Sequence, residues 1–336
     1  MNIFPFLNEP FKAILLGIYS IVGNYGWSIV IFTLLIRLVL IPFDTKSRRS
    51  MRKTQKLQPQ LAALQTKYKN DKEKLNQKTA ELYRKERINP LSGCLPMLLS
   101  FPVLIAMFAA MRMVANTELA KQAIDLILPP HVQTNEGWLW VRNLWMPDSP
   151  FSAMIVDQAS LKQITADVWA KVFAALTPDQ VSGLAALNLN AGTINGDTIF
   201  AALQQSPAYA AELAAWAPLP VVDLLFTKLT IYARNNGYFI LPVLAAVTQF
   251  LMTLTQPQTP TAGADGNPAA GTGKFMKWFF PIFSLYICSS YNAGFSIYWV
   301  MANLISWGQG LVLNKIFDEQ EKKKQAVASV GEESLK

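Results

Sequence analysis

Apolar residues gather into five stretches, roughly Tyr25–Phe43, Leu95–Val114, Tyr238–Gln256, Phe275–Ser290 and Phe295–Leu313. Most are long enough, at ~1.5 Å of rise per residue, to cross a hydrocarbon core of about 30 Å as helices. The fourth is short, and only Tyr291–Gly294 separates it from the fifth, so the two predict a tight hairpin with Asn292 and Gly294 as turn residues. Before the first stretch, Phe11, Ile14, Leu15, Ile18 and Val22 recur at helical spacing behind Asn8-Glu9-Pro10. That pattern predicts an amphipathic helix over Glu9–Val22 at a membrane surface, or an extension of the first span.

Between the first two stretches the pattern turns polar but stays helical. Lys46–Tyr68 is rich in Lys, Gln, Leu and Ala, with a kink expected at Pro59. A new helix is expected from Asn70-Asp71-Lys72-Glu73 to about Arg87, closed by Asn89-Pro90. In the long segment before the third stretch, Trp138, Trp140 and Trp145 stand beside Pro147 and Pro150 and predict an interfacial loop. Leu161–Trp216 is Ala/Leu-rich, with breaks at Thr177-Pro178-Asp179, Asn195-Gly196-Asp197 and Ser206-Pro207, which predicts several short helices. Thr259–Gly273 reads as a flexible loop, and the charged tail after Asp318 as disordered beyond its first turns.

The fold class expected is therefore all-α: a polytopic membrane protein with five transmembrane helices, a cytoplasmic helical hairpin and an outer helical insert. Its segments are 1–24 (interfacial helix), 25–114 (two spans enclosing a basic hairpin, 45–89), 115–236 (outer insert), 237–318 (three spans) and 319–336 (tail). Composition agrees, with 51% hydrophobic residues, 15% charged and a mean hydropathy of +0.22. Charge sets the orientation. Fourteen Lys/Arg face five acids between Asp44 and Cys94, whereas Ala115–Gly237 carries ten acids and six bases. Basic loops stay in the cytoplasm, so the N-terminus and the insert are expected outside and the C-terminus inside. No cleavable signal is expected, since Met1–Tyr19 has no basic start and no small-residue cleavage site. Cys94 and Cys288 fall at opposite membrane faces, too far apart to bond.

Enzyme chemistry finds little footing. His131 is the only histidine, which excludes an HExxH zinc site and a Ser-His-Asp triad. Gly271-Thr-Gly-Lys274 fails as a phosphate loop because Pro268 stands where a glycine is needed. No metal, no cofactor and no catalytic residue is expected. The informative group is Arg37, inside the first apolar stretch and roughly 10 Å along the helix from Asp44. A guanidinium at such depth costs at least ~2.5 kcal/mol. It faces internal water, takes a partner from outside, snorkels to headgroups or bonds neighbouring carbonyls. Thr33, Gln249, Thr253, Asn303, Ser306 and Gln309 also lie at depth, the last three at helical spacing. Such residues line cavities or join helices. Pro96, Pro102 and the methionines 97, 107, 111 and 113 give the second span a bendable, adaptable surface or ordinary lipid-facing packing.

Asn89-Pro90-Leu-Ser-Gly93-Cys94-Leu95-Pro96-Met-Leu-Leu-Ser-Phe-Pro102-Val resembles the signature of the YidC/Oxa/Alb membrane protein insertases. So do the arginine-bearing first span, Tyr238-Phe-Ile-Leu-Pro242-Val-Leu, and Phe280-Pro281-Ile-Phe through Ala293-Gly294-Phe-Ser-Ile-Tyr298-Trp299-Val-Met-Ala-Asn303-Leu. The likeness covers nearly all of 1–114 and 237–318 and is similar to the short bacterial five-span form; it skips the 116–236 insert. It implies an insertase and chaperone of the bacterial inner membrane that uses no nucleotide. Its expected partners are nascent membrane proteins, the ribosome, the Sec translocon and anionic lipids, with no DNA. The resemblance also implies a cytoplasm-open polar groove lined by Thr33, Arg37, Gln249, Trp299, Asn303 and Ser306. A hydrophobic slide would use Leu98, Pro102, Met107, Phe279 and Phe283. Lys53, Lys56, Arg84, Lys85 and Lys322, Lys323 and Lys324 would meet ribosome or lipid. A small-solute or anion transporter with Arg37 as its site, or a purely structural assembly factor, are the alternatives.

Overall fold

The structure is a computed structural model and describes residues 5–86, 95–131, 134–215, 222–224, 227–229, 231–256 and 270–333. The Asn89–Cys94 part of the signature and most of the Thr259–Gly273 loop lie outside these residues. Helix α1 (Pro5–Val22) ends at Gly23, whose φ of 69° lets its N–H close on the Tyr19 carbonyl at 2.7 Å. Leu15 is its buried anchor and Phe11 packs edge-on to Phe32, while Ile14 and Ile21 stay exposed.

Helix α2 (Tyr25–Lys56) does not stop at the apolar boundary but runs unbroken from the first apolar stretch into the basic segment. Pro59 then starts a helix instead of kinking one. It occupies the first turn of α3 (Gln58–Lys67), where its missing N–H is no loss. Asp71 caps α4 (Lys72–Lys85) through the Lys74 N–H at 3.0 Å, as its sequence predicts. Helix α5 (Leu95–Ile127) extends well beyond Val114. Among the described residues, Tyr25–Lys56 and Phe101–Ile127 are long and apolar enough to cross a membrane; α11 (Ile240–Thr255) is a shorter apolar helix.

The insert folds as its punctuation predicts: α6 (Gln158–Lys162), α7 (Ala166–Ala174), α8 (Pro178–Ala186), α9 (Gly196–Gln205) and α10 (Pro207–Ala215). Asp157, Thr177 and Asn195 form capping boxes at three of the starts. One short element departs from an all-helical chain. β1 (Val222–Leu224) pairs antiparallel with β2 (Thr227–Leu229), Asp223 opposite Lys228. Helix α12 (Ala270–Ser290) takes in the last residues of the expected loop. Helix α13 (Ala293–Glu333) continues past the first turns after Asp318, where the sequence predicts disorder. Arg52 pairs with Asp318 at 2.8 Å and Lys56 with Glu321 at 2.7 Å, and Arg49 and Arg52 lie over the Phe317 ring, so the tail has partners that hold it.

Two compact units result. One comprises Met1–Phe32, Leu104–Ala245 and Leu285–Trp299; the other Thr33–Val103, Ala246–Ser284 and Val300–Lys336. At the centre of the first, three fully buried polar side chains tie together backbone far apart in sequence. The Asn236 side-chain oxygen Oδ1 accepts from Asn143 N–H at 2.7 Å, and its Nδ2 donates to the backbone carbonyls of Asn143, Met146 and Pro147. Asn143 donates in turn to the Met154 carbonyl and the Gln122 side chain. The carboxylate of Asp148 accepts from Tyr238 N–H (2.9 Å), Leu241 N–H (2.7 Å) and Trp140 Nε1 (3.1 Å), capping the start of α11 from a remote loop. A Cβ at Gly237 would lie 1.9 Å from the Asp148 oxygen, so only glycine fits there.

The same loop receives the α12–α13 turn. The Met146 carbonyl accepts from Ala293 N–H at 2.9 Å and the Leu144 carbonyl from Gly294 N–H at 3.0 Å. Asn292 caps α13 through Phe295 N–H at 2.9 Å. Gly294 is helical and not a turn residue. A side chain there would press on Met111 and Ile29, 2.9 and 3.2 Å away.

Glu136 joins the corner between α1 and α2, accepting from the Tyr25 N–H and, at 3.1 Å, from the Tyr19 hydroxyl. Burial, the largest influence, raises its pKa despite both donors. An acid with a raised native pKa binds protons more readily folded than unfolded. The folded state therefore loses stability as pH rises from the unfolded value toward the native one. Relative to Glu136→Gln, the wild type should gain thermal stability as pH falls from neutral toward the ordinary carboxylate range. Parallel melting curves of the two proteins in detergent across that range would refute this.

Candidate functional site

The second unit contains all but one of the predicted groove residues. Trp299 belongs to the first, where it packs on Phe295 at 5.5 Å between centroids. Thr33, Gln249, Asn303 and Ser306 are buried, and Arg37 is half-buried. Among the described residues the Arg37 guanidinium makes no hydrogen bond and no ion pair. Counting along α2 from Arg37, Asp44 is two turns on and Arg48 three, so the three share one stripe at successive i+7 and i+4 spacing. The Asp44 carboxylate lies within electrostatic reach of both guanidinium groups and of the Gln309 side chain.

Sequence reasoning missed Arg48. By composition it is one more cation of the basic hairpin, yet its exposure is 8%. It donates from Nη1 to the Thr255 carbonyl at 3.1 Å and from Nη2 to the Ser306 carbonyl at 3.3 Å. Thr255 closes α11, so the cation sits at the negative end of that helix. Asn314 Nδ2 donates to the same carbonyl at 3.1 Å. Gly310 makes room, because a Cβ there would approach Thr255 Oγ1 to 2.5 Å and Arg48 Nη1 to 2.9 Å. The only legible signal was the phase of Arg48 behind Arg37 and Asp44.

Ser47 Oγ and Asn303 Nδ2 are buried with no hydrogen-bond partner among the described residues. An unmet buried polar group costs about 1–3 kcal/mol, so such a site favours water or polar groups of another chain. An unpaired cation on a polar stripe can attract anionic groups into this region.

The predicted slide divides. Phe279 and Phe283 are about two-fifths exposed and stack at 5.7 Å, flanked by exposed Trp278 and Ile282. Pro102 is half-buried, with Phe101 exposed beside it. Met107 is 1% exposed and belongs to the core of the first unit, so it offers no slide surface. The Leu98 side chain lies outside what the structure describes. Lys53, Arg84, Lys85, Lys322, Lys323 and Lys324 are exposed, and Lys56 is exposed but already paired with Glu321.

A helical chain with two helices long and apolar enough to cross a membrane, among the described residues, has the character of a helical membrane protein. Residues 17–181 and 198–322 match the model of the 60Kd inner membrane protein family, and the chain belongs to that family. The match runs through most of the insert, which the sequence reading expected the family to skip.

Relatives named "Membrane protein insertase YidC" agree. The protein of Polynucleobacter asymbioticus is 36% identical over 46% of this chain and 25% of its own length. That of Fusobacterium nucleatum is 48% identical over 32% of this chain and 52% of its own. That of Legionella pneumophila (strain Corby) is 47% identical over 31% of this chain and 18% of its own. The chain thus spans between about a fifth and about a half of the length of these relatives.

Proposed function

We propose that the protein is a membrane protein insertase and chaperone of the inner membrane, acting without nucleotide hydrolysis. The observation that carries this reading is Arg37, a half-buried cation on an apolar helix with no hydrogen-bonded partner among the described residues, in the unit that also holds the buried Thr33, Gln249, Asn303 and Ser306. Five helices span the membrane, with the N-terminus and insert outside and the C-terminus in the cytoplasm. Nascent membrane proteins are its clients, and the ribosome, the Sec translocon and anionic lipids its partners. Arg37 draws the polar outer tail of a client into a hydrated groove with Thr33, Gln249, Asn303 and Ser306, lowering the cost of moving that tail across lipid. Burial of the client's apolar helix, guided by Pro102, Phe279 and Phe283, drives release into the bilayer. The exposed Lys53 and Lys56 of α2, Arg84 and Lys85 of α4, and Lys322, Lys323 and Lys324 of the tail attract anionic headgroups or ribosomal RNA in a salt-sensitive way.

The names of the relatives favour this reading over transport of a small anion. Purified protein in vesicles that hold no other protein should insert a single-span client bearing a short acidic outer tail. Protease protection of the tail no greater than in empty vesicles would sink the reading.

A further inference from the structure

Arg48 and Asp44 have no assigned role in that mechanism, yet they stand on the same stripe as Arg37. The two cations differ in kind. Arg48 is buried and held by the Thr255 and Ser306 carbonyls, so its charge is fixed by backbone dipoles. Arg37 is half-buried and has no hydrogen-bonded partner among the described residues. Asp44 lies between them on one helical face, one turn before Arg48 and two turns after Arg37. Thr33, Gln249, Asn303, Ser306 and Gln309 bring no acid, so this carboxylate is the stripe's own anion. With Asp44 ionised the three groups sum to one uncompensated positive charge; without it they sum to two.

We propose that Asp44 is a built-in counter-ion that sets the charge selectivity of the groove. It leaves the stripe one surplus charge, enough to draw an acidic residue of a client without holding it so strongly that release is slowed. Arg48, anchored at the ends of its fork, keeps α2 in register so that Asp44 stays within reach of Arg37 and the Gln309 side chain. The proposal rests on the insertase reading and refines its client class: tails with few acidic residues, accepted singly.

The test is site-specific photocrosslinking at Thr33 in vesicles at low salt, comparing clients whose outer tails differ only in carrying two Asp or two Asn. Asp44→Asn should raise capture of the acidic tail about three- to tenfold over the neutral one, and Asp44→Glu should behave as the wild type. The gain should vanish in an Arg37→Gln background, because the cation it unmasks is then absent. Equal changes for both tails, or a gain that survives Arg37→Gln, would overturn the proposal. If Asp44→Asn does not accumulate in membranes, Asp44→Thr gives the same comparison. Arg37→Gln alone separates the two ideas. Normal capture of acidic tails by that variant defeats the groove itself, whereas impaired capture together with wild-type behaviour of Asp44→Asn defeats only the counter-ion.

Discussion

Arg37→Ala should lower insertion of single-span clients with acidic outer tails by about tenfold or more, and Arg37→Lys should retain much of the activity. Two unit charges 4 Å apart gain about 4 kcal/mol at an effective dielectric of 20, and partial exposure of Arg37 reduces this toward 1–2 kcal/mol. A change of 1.4 kcal/mol is already a factor of about ten. Lysine keeps the charge but loses the planar fork, so point attraction survives. Arg37 has no hydrogen bond to lose among the described residues, and the alanine variant should therefore reach normal membrane levels. Insertion measured by protease protection, normalised to the amount of protein, decides the matter. A normal rate for the alanine variant would mean that the cation serves something other than the client.

The second large effect lies in the first unit. Asp148→Ala should destabilise the protein by about 3–5 kcal/mol, because three donors lose one buried carboxylate together. Two of them, Tyr238 and Leu241 N–H, begin α11, and their desolvation would be uncompensated. Asp148→Asn keeps one acceptor oxygen but turns an N–H toward the other donors, so it should fall between the two. Thermal unfolding in detergent micelles should show this ranking. A melting temperature for Asp148→Ala within about a degree of wild type would show that water replaces the carboxylate at no cost.

These two sites differ in how far the sequence reveals them. Arg37 is legible because a charge inside an apolar run breaks a strong pattern. The insert's helices are legible because Thr177, Asn195 and Ser206-Pro207 are local punctuation, and local hydrogen bonds decide where a helix begins. Asp148 and Asn236 carry no such mark. Their partners are the backbone of segments about ninety positions away, and no periodicity records a contact of that range. Arg48 is hidden for another reason. In a run of lysines and arginines composition does not separate the cation that meets helix-end carbonyls from those that meet water, and only its phase behind Arg37 and Asp44 marks it. The tail was misread because charge alone implies solvation, while its acids, Asp318 and Glu321, have fixed partners on α2.

The loop closed by Asn143, Asp148 and Asn236 behaves like a clasp on a long strap. Its two halves are made at different times during synthesis, so α11 cannot receive its cap until the chain beyond Leu241 has emerged and folded back. Everything between the halves, α6 to α10, is the slack of that strap. Closing a loop costs entropy that grows only with the logarithm of its length, about 0.6 kcal/mol for each doubling. Lengthening the slack is therefore cheap for the clasp, and shortening it is tolerated until the ends no longer reach. The one internal stretch that the family model leaves unmatched, 182–197, falls in this slack, from within α8 to the start of α9. Ser152 and Met154 do not belong to it: their carbonyls accept from Asn236 N–H and the Asn143 amide. The strap can change in length at little cost; the buckle depends on each of its three side chains.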